Sequence, residues 1–363
     1  MATISVQGRA TAFGLDEKRS QTVNQDNPAQ SDTRRRLSIA PMMDWTDRHC
    51  RYFHRLMSQR AVLYTEMVTA DAVSHGDRDR LLGFSPEEHP VVLQLGGSDP
   101  QKLPEAARIG ADRGYDAINL NCGCPSDRVQ SGTFGACLMR DPSHVARLVE
   151  AMKRATDIPV TVKCRIGVDD QDPHQVLPDF ITKVRDAGVD AVIVHARKAW
   201  LEGLSPKQNR DVPPLDYDLV LAMKAQFPDL WLGINGGIAT LAEAKTLFDQ
   251  GMDEVMIGRA AYQSPADILL DADEALLGEP SASQSRGDIV RAMLPYIENH
   301  IAGGGRLNQV TRHMIGLFSG LPGARQWRRI LSEGAHLEGA GPDLVLQALS
   351  AVERPETERA TAA

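Results

Sequence analysis

The chain has 363 residues, 42% of them hydrophobic and 24% charged, which is the composition of a globular protein with one large core or two smaller ones. It contains no run of about 18 uncharged apolar residues and no apolar stretch after a basic start, which excludes a membrane-spanning segment and a secretion signal, so we expect a cytoplasmic protein. Five scattered cysteines argue against a disulfide framework, and the net charge of -8 argues weakly against a nucleic-acid partner, although a local basic patch could outweigh that total.

Residues 1–36 are polar and lack helical or strand periodicity, which predicts a disordered N-terminal tail. Beyond them, short apolar runs rich in β-branched residues alternate with amphipathic segments of helical spacing. Among the helices, one is predicted over 143–156 with its start at Asp141, and another over 177–188 with its end at Gly188. Eight apolar runs are predicted strands: 37–42, 62–68, 91–96, 116–121, 160–166, 190–196, 230–235 and 254–258.

Strands that are apolar throughout and alternate with helices indicate a parallel sheet covered on both faces. Eight strand–helix units fit a closed (β/α)8 barrel better than an open doubly wound sheet, since no GxGxxG motif follows the first strand. We therefore predict a TIM barrel over 37–280. After a segment rich in Ser and Gly, residues 285–350 show helical spacing without strands, which predicts a small all-helical C-terminal domain.

Polar residues follow nearly every predicted strand. One such residue alone would be an ordinary structural residue, but a barrel enzyme builds its site from the C-terminal ends of several strands, so the repetition predicts an active site at that end. The residues concerned are Asp44, Glu66, Gln94, Asn119, Asn121, Lys163, Arg165, His195, Arg197, Asn235 and Arg259.

Glycines lie at the ends of the last two predicted strands, in INGGI (234–238) and IGRA (257–260). Barrels commonly bind phosphate with backbone N–H groups at this place, and Arg259 adds a positive charge. A phosphorylated ligand is therefore predicted. The alternative is that Gly236 and Gly237 only form a tight turn.

Two cysteines, Cys122 and Cys124, flank one glycine in the stretch NLNCGC at the end of the fourth predicted strand. Structural zinc sites space paired cysteines by roughly two to four residues and need further ligands, so the spacing argues against a metal site. It argues against a CxxC redox pair for the same reason. Two interpretations stay open from the residues alone: a thiol on a flexible turn at the barrel mouth, or two small hydrophobic residues packed in the core.

Longer strings of the sequence resemble one known family. The strings are APMMDWTDRHCRYF (40–53), LYTEMV (63–68), QLGGSDP (94–100), NLNCGCPSDRVQSGTFGACLM (119–139), VKCRIG (162–167), VHARKAWLEGLSPKQNR (194–210), PPLDY (213–217), INGGI and IGRAAY. Together they are similar to the tRNA-dihydrouridine synthases, flavin enzymes that reduce uridine in tRNA, and within that family to the A subfamily. The resemblance runs from about residue 38 to residue 333.

The resemblance implies that FMN lies across the mouth of the barrel. The implied flavin contacts are Pro41, Met42 and Met43 under the ring, Gln94, Lys163 and His195 at its polar edge, and Asn235, Gly236, Gly237, Gly258 and Arg259 around its phosphate. The family's catalytic cysteine falls on Cys124, and Asn121 would face the substrate. Cys122 departs from the family's commoner pattern, in which an apolar residue such as valine stands there.

The resemblance also implies the chemistry. Hydride passes from reduced flavin N5 to C6 of uracil, and C5 then takes a proton from an acid that is still protonated near neutral pH. A thiol has an ordinary pKa near ~8.5 and meets that requirement, whereas an exposed carboxylic acid near ~4 is already ionised. Cys124 is therefore the implied proton donor, and Lys163 the cation that stabilises the anionic reduced flavin.

An acidic protein needs a local basic surface to bind RNA. Residues 303–332 contain five arginines and no acidic residue, and arginine suits phosphate recognition through its planar fork. A solvated helix face is the alternative for such a cluster, and the resemblance favours RNA. Trp200 is a stacking surface, an exposed anchor or a buried core residue. The residues expected to contact tRNA are Asn121, Arg165, Lys207, Arg210, Arg325 and Arg328.

Two other functions remain as alternatives. One is an FMN barrel of the dihydropyrimidine or dihydroorotate dehydrogenase type, which acts on a free base and needs neither the arginine-rich helices nor the SPKQNR loop (205–210). The other is a non-catalytic RNA-binding module, which would be colourless. The resemblance implies uridines 20 and 20a of tRNA as targets and NADPH as the electron source, and we expect a monomer without metal or membrane contact.

Overall fold

A computed structural model describes residues 35–126, 134–281 and 284–353. The predicted tail lies outside the described residues as far as residue 34, and Arg36 already belongs to the first strand. The strands are β1 (Arg36–Ile39), β2 (Val62–Tyr64), β3 (Val68–Thr69), β4 (Val91–Gly96), β5 (Ala117–Cys122), β6 (Val160–Arg165), β7 (Ala191–His195), β8 (Trp231–Asn235) and β9 (Glu254–Ile257).

Eight of these strands form a closed parallel barrel. They follow the order β2-β1-β9-β8-β7-β6-β5-β4, and pairing between β2 and β4 closes the ring. The two-residue β3 pairs with the end of β4 and extends the sheet at the mouth. Because the strand residues are buried almost without exception, the barrel is covered outside by helices and filled inside by side chains, as predicted for a TIM barrel.

Helices follow the strands and then form a strand-free C-terminal part. They are α1 (Arg48–Met57), α2 (Ala70–His75), α3 (Arg78–Leu82), α4 (Lys102–Asp112), α5 (Pro142–Ala155), α6 (Pro173–Asp186), α7 (Tyr217–Gln226), α8 (Leu241–Asp249), α9 (Arg259–Gln263), α10 (Pro265–Leu269), α11 (Ala272–Leu277), α12 (Arg286–Ala302), α13 (Leu307–Met314), α14 (Ala324–Gly334) and α15 (Pro342–Glu353). No helix in these described ranges is long and apolar enough to span a bilayer.

Capping residues set the bounds of the two helices predicted in detail. The Asp141 side chain accepts a hydrogen bond from the N–H of His144, so α5 begins at Pro142, within one residue of the prediction. Helix α6 begins four residues before its predicted start, because Asp172 caps it and the following proline occupies its first position. Gly188, at φ 85°, follows its last turn as predicted.

The floor of the barrel is a buried polar layer below the mouth. The Glu254 carboxylate, fully buried, accepts hydrogen bonds from Ser38 Oγ at 2.5 Å, Arg36 Nη1 at 3.3 Å and Trp231 Nε1 at 3.3 Å. A buried carboxylate needs such partners because burial without them would carry a large free-energy cost. The layer fixes β1, β8 and β9 in register and leaves the opposite end of the barrel for chemistry.

The C-terminal helices dock beside the exit of β1. Asp47, at the start of α1, accepts hydrogen bonds from Arg312 Nη2 at 2.5 Å and from His313 Nε2 at 3.0 Å. His49 Nδ1 lies 2.7 Å from the Tyr296 hydroxyl. These contacts join α1 to α12 and α13, so the strand-free helices lie next to the barrel mouth.

Candidate active site

The sheet register brings the predicted strand-exit residues together. Asn121 lies beside Lys163 on the neighbouring strand, and Arg165, His195 and Asn235 lie side by side across three strands. Lys163 Nζ donates a hydrogen bond to Asn235 Oδ1 at 3.0 Å, across β7. Residues that are far apart in the sequence therefore line one surface at the C-terminal end of the barrel.

A chain of side-chain amides runs across the mouth beneath that surface. Asn119 Nδ2 donates to Thr161 Oγ1, and Gln94 Nε2 donates to Asn119 Oδ1, both at 2.8 Å. Asn121 Nδ2 then donates to Gln94 Oε1 at 2.8 Å. Each of these side chains is buried, so the pairing satisfies groups that would otherwise be costly to bury, and it fixes the orientation of each amide.

Asn121 shapes the turn that carries the second cysteine. Its Oδ1 accepts hydrogen bonds from the N–H groups of Gly123 at 3.0 Å and Cys124 at 2.9 Å. The amide oxygen of Asn121 is thus already paired, and in the described part of the chain only the second N–H of the amide is left to face a substrate. The first role that the geometry gives Asn121 is to hold the Cys124 turn.

The two cysteines differ in their surroundings. Cys122 is fully buried in the packing between barrel and helices, opposite Cys164 on the next strand, and burial raises the pKa of its thiol well above the ordinary value. Cys124 is partly exposed, and its Sγ lies 3.5 Å from Ser126 Oγ. Of these two thiols, that of Cys124 is the one with an exposed surface.

Three basic side chains lie close together without an opposing carboxylate. Burial, and then the Arg165 charge, lowers the pKa of Lys163 to about 8. Burial lowers the pKa of Arg165 to about 10 and that of His195 well below its usual range, so this imidazole is neutral. Within the described residues neither Lys163 nor Arg165 forms an ion pair, and a site of this kind favours an anionic ligand.

Arg165 is occupied by backbone carbonyls. Its Nε donates to Gly123 O at 3.2 Å, and its Nη1 donates to Lys198 O at 3.2 Å and Asn209 O at 2.9 Å. The side chain is buried, with 4% of the residue exposed. Sequence analysis grouped Arg165 with the tRNA contacts, but this geometry makes it a link between the Cys124 turn and the loop after β7.

Two glycines after β8 adopt a turn that other residues would strain. Gly236 has φ 118° and Gly237 has φ 73°, and the Tyr217 hydroxyl donates to Gly236 O. A Cβ on Gly236 would lie 2.4 Å from His195 Cδ2. The turn therefore packs its backbone directly against the imidazole.

The third glycine of the predicted phosphate site is not required by packing. A Cβ on Gly258 would meet only Ala40 Cβ and Met42 Sδ, both at 3.6 Å, which is ordinary contact. The exits of β1 and β9 are therefore adjacent, and a Cβ at residue 258 would be tolerated. Arg259, which follows it, forms an ion pair with Asp211 at 2.8 Å.

An apolar shelf lies at the exit of β1. Pro41 and Met42 are partly buried and Met43 is 55% exposed, an unusual exposure for a large apolar side chain. Thr46 Oγ1 accepts a hydrogen bond from the N–H of Met42 at 2.9 Å and fixes the turn. The shelf offers an apolar surface at the exit of β1.

The predicted RNA contacts lie on two exposed surfaces. Lys207 and Arg210 are exposed on the loop after β7, close to the mouth. Arg325 and Arg328 are exposed on one face of α14, while Trp327 between them is fully buried in the helical core. The helix period explains this division of one short segment into a charged face and a core face.

Sequence reasoning missed three residues that organise the mouth. Asn209 is fully buried inside the SPKQNR loop, Asp211 pairs with Arg259, and Tyr217 holds the glycine turn. The signal that the sequence carries in this loop is the charge of Lys207 and Arg210. Burial of an asparagine between them has no signal in composition or periodicity.

Replacement of Lys163 by methionine is expected to change how stability depends on pH. In the folded protein the pKa of Lys163 is about 8, below its ordinary value of 10.5. The charged lysine therefore destabilises the fold by the largest amount below pH 8, and this destabilisation disappears as the pH rises to 10.5. Between pH 8 and pH 10.5, the free energy of unfolding should therefore rise by up to about 3 kcal/mol more in the wild type than in the variant. Denaturant unfolding of both ligand-free proteins at pH 7, 9 and 10.5 measures it, and parallel profiles would refute a buried charge.

The chain is similar to known proteins over most of its length. Residues 38–353 match the family model described as dihydrouridine synthase (Dus). A tRNA-dihydrouridine(20/20a) synthase of Shewanella oneidensis is 58% identical over 319 residues, which cover 88% of this chain and 94% of the relative. Enzymes of the same name from Vibrio vulnificus and Escherichia coli (strain K12) are each 56% identical over 318 residues, covering 87% of this chain and 97% and 91% of the relatives.

Proposed function

The chain belongs to the dihydrouridine synthase family, and on that premise we propose that it reduces uridine to 5,6-dihydrouridine at positions 20 and 20a of tRNA, with FMN as cofactor and NADPH as electron source. The relatives named above carry those positions in their names. In this proposal residues 37–280 form the catalytic domain and residues 285–350 form the domain that binds tRNA.

The observation that carries the proposal is the basic cluster without a carboxylate. Lys163 is held by a neutral amide, and the next cation along the sheet, Arg165, lies close enough to lower its pKa. Such an arrangement costs stability unless an anion binds there. A reduced flavin carries negative charge along its N1–C2 edge, and that charge is the match for Lys163.

The residues at the mouth fit the two ends of FMN. The apolar shelf of Pro41, Met42 and Met43 is a suitable surface for a flat ring. Gly258 leaves room that packing alone would not require, and the positive φ angles of the glycine turn orient backbone groups as phosphate sites need. To bind the phosphate, Arg259 would either release Asp211 or contact Asp211 and the phosphate together.

In this proposal a residue of the chain itself supplies the proton. FMN, when bound, would supply the hydride for C6 of the uracil. Cys124 would donate the proton to C5, since its turn is fixed by Asn121 on one side and by Arg165 on the other. The sulfur left behind would lie near Lys163 and Arg165, since a charge on Cys124 raises the pKa of both cations.

RNA binding is assigned to the two exposed basic surfaces. Lys207 and Arg210 lie on the loop that Arg165 joins to the Cys124 turn, and Arg325 and Arg328 lie on the helical part beside the mouth. None of these four side chains forms an ion pair within the described residues, so all are available to phosphates. The net charge of -8 is thus compatible with a local basic footprint.

The test combines colour with substrate choice. The purified protein should be yellow, with a flavin spectrum that NADPH bleaches under anaerobic conditions. Reoxidation of the reduced protein should then be fast with unmodified tRNA and negligible with free uracil or orotate. A colourless protein would favour an RNA-binding module, and reoxidation by the free bases alone would favour a free-base dehydrogenase.

A further inference from the structure

The most exposed tryptophan of the chain lies on the loop after β7. Trp200 is 40% exposed, whereas Trp327 is fully buried and Trp45 and Trp231 are partly buried. Single exposed apolar side chains are common on protein surfaces, so exposure alone assigns no role to Trp200. The contacts of its backbone decide whether Trp200 is mobile or held in place.

The backbone of Trp200 is clamped by a buried side chain. Asn209 Oδ1 accepts from the N–H of Trp200 at 2.7 Å, and Asn209 Nδ2 donates to Trp200 O at 2.8 Å and to Leu204 O at 3.1 Å. Asn209 itself is 0% exposed. The buried amide of Asn209 therefore holds the backbone of Trp200 and, through the carbonyls of Leu204 and Ser205, the rest of the loop.

Both neighbours of Trp200 are anchored as well. The N–H of Ala199 donates to Gly167 O at 2.9 Å, and Ala199 O accepts from the N–H of Asp169 at 2.8 Å. On the other side, the N–H of Leu201 donates to Asp169 Oδ1 at 2.8 Å. The indole is therefore mounted on three consecutive residues with fixed backbones, so little further conformational entropy is lost when a ligand stacks on it.

Arg165 connects this mounting to the catalytic turn. One guanidinium donates to the carbonyls of Lys198 and Asn209, on either side of Trp200, and to the carbonyl of Gly123, which precedes Cys124. The separation between Trp200 and the thiol is thus set by a single buried side chain rather than by a flexible loop.

The charges around the indole match a nucleic acid. Lys198 Nζ lies 5.4 Å from the centroid of the ring, and Lys207 and Arg210 are exposed further along the loop. Glu202 is the one acidic residue between Trp200 and Arg210. A cation beside a flat aromatic surface binds a phosphate and its base together.

We propose that Trp200 is a stacking platform for an unpaired base of the RNA substrate, held by Asn209 and Arg165 at a fixed distance from Cys124. The proposal rests on the proposed function and deepens it. A uridine must leave its stack to reach the thiol, and a neighbouring base then loses its stacking partner. The indole replaces that partner, and it tolerates any base because every base has an aromatic face.

The test measures RNA affinity with three replacements at one position. Trp200→Ala should raise both the Kd and the KM for an unmodified tRNA transcript about tenfold. Trp200→Phe should restore most of the affinity, and Trp200→Leu should not, because stacking needs an aromatic ring. The rate of flavin reduction by NADPH, which involves no RNA, should stay at the wild-type value in all three variants.

Two further variants separate the platform from general surface effects. Val212→Ala removes another exposed apolar side chain, 61% exposed, near the end of the same loop and should leave the Kd unchanged. Asn209→Ala should weaken tRNA binding at least as much as Trp200→Ala, because it releases the backbone of Trp200 and also the carbonyls of Leu204 and Ser205, and the double variant should bind no more weakly than Asn209→Ala alone.

The outcomes distinguish this inference from the function on which it rests. A wild type that reduces tRNA while Trp200→Ala keeps its Kd and KM would overturn the platform alone. Equal affinity of the Leu and Phe variants would overturn stacking in favour of simple apolar contact. A wild type that carries no flavin and does not act on tRNA would overturn the proposed function and the platform together.

Discussion

Replacement of Cys124 by alanine is expected to lower the turnover of unmodified tRNA by a factor of about 10² to 10⁴, the range lost with a general acid. The proton for C5 would then have to come from water or from Lys163, whose amine is paired with Asn235. Reduction of the flavin by NADPH should continue at its normal rate, because that half-reaction does not use the thiol. Stopped-flow measurement of the two half-reactions separates them.

Cys122→Ala is the matched control for this prediction. The two cysteines are two residues apart, yet Cys122 is the fully buried last residue of β5 whereas Cys124 lies on the turn beyond it, and burial keeps the Cys122 thiol protonated. Its loss should cost stability, roughly 1 kcal/mol from the small cavity, and leave turnover unchanged. Turnover near wild type in the Cys124 variant, or a comparable loss in the Cys122 variant, would reject the assignment of the proton donor.

Replacement of Gly236 by alanine is expected to destabilise the protein by roughly 2–5 kcal/mol and to empty the flavin site. Two effects add: the residue has φ 118°, and the new Cβ would lie 2.4 Å from His195 Cδ2, closer than such contacts occur. The buried imidazole cannot move aside without losing its packing, so the turn itself should open. Denaturant unfolding gives the stability, and flavin absorbance per chain gives the occupancy.

Gly251→Ala separates strain from collision. Gly251 has φ 98°, but a Cβ there would meet no atom within 4 Å. The control should therefore lose only the conformational part, about 1 kcal/mol, and keep its flavin. Equal losses of stability in the two variants would mean that contact with His195 contributes nothing.

The barrel was within reach of sequence reasoning because its signals are local. Each of the eight predicted strands overlaps a strand of the closed ring, since a run of β-branched residues between helical segments needs both faces covered. The start of α6 was placed four residues late, although Asp172 and Pro173 form a good N-terminal signal. The short β3 was not separated from the β2 run, because two residues carry no periodicity.

The sequence predicts which residues lie at the candidate site, but not the hydrogen bonds that connect them. That Lys163, His195 and Asn235 meet follows from strand ends in a parallel barrel. That Lys163 bonds Asn235 across an intervening strand, or that Asn121 turns its oxygen toward the Cys124 turn rather than the mouth, depends on rotamers that no pattern encodes.

The sequence by itself determined the barrel, the family and the end of the barrel where polar residues gather, because apolar periodicity and long shared strings are properties of the chain order. Tertiary structure alone decided which cysteine is accessible, since Cys122 ends a buried strand whereas Cys124 lies on the turn beyond it. It also decided that Arg165 links the Cys124 turn to the loop after β7, and that Trp200 has a fixed backbone and an exposed side chain. Burial and hydrogen-bond partners are set by residues distant in sequence, and these quantities assign a side chain to structure or to chemistry.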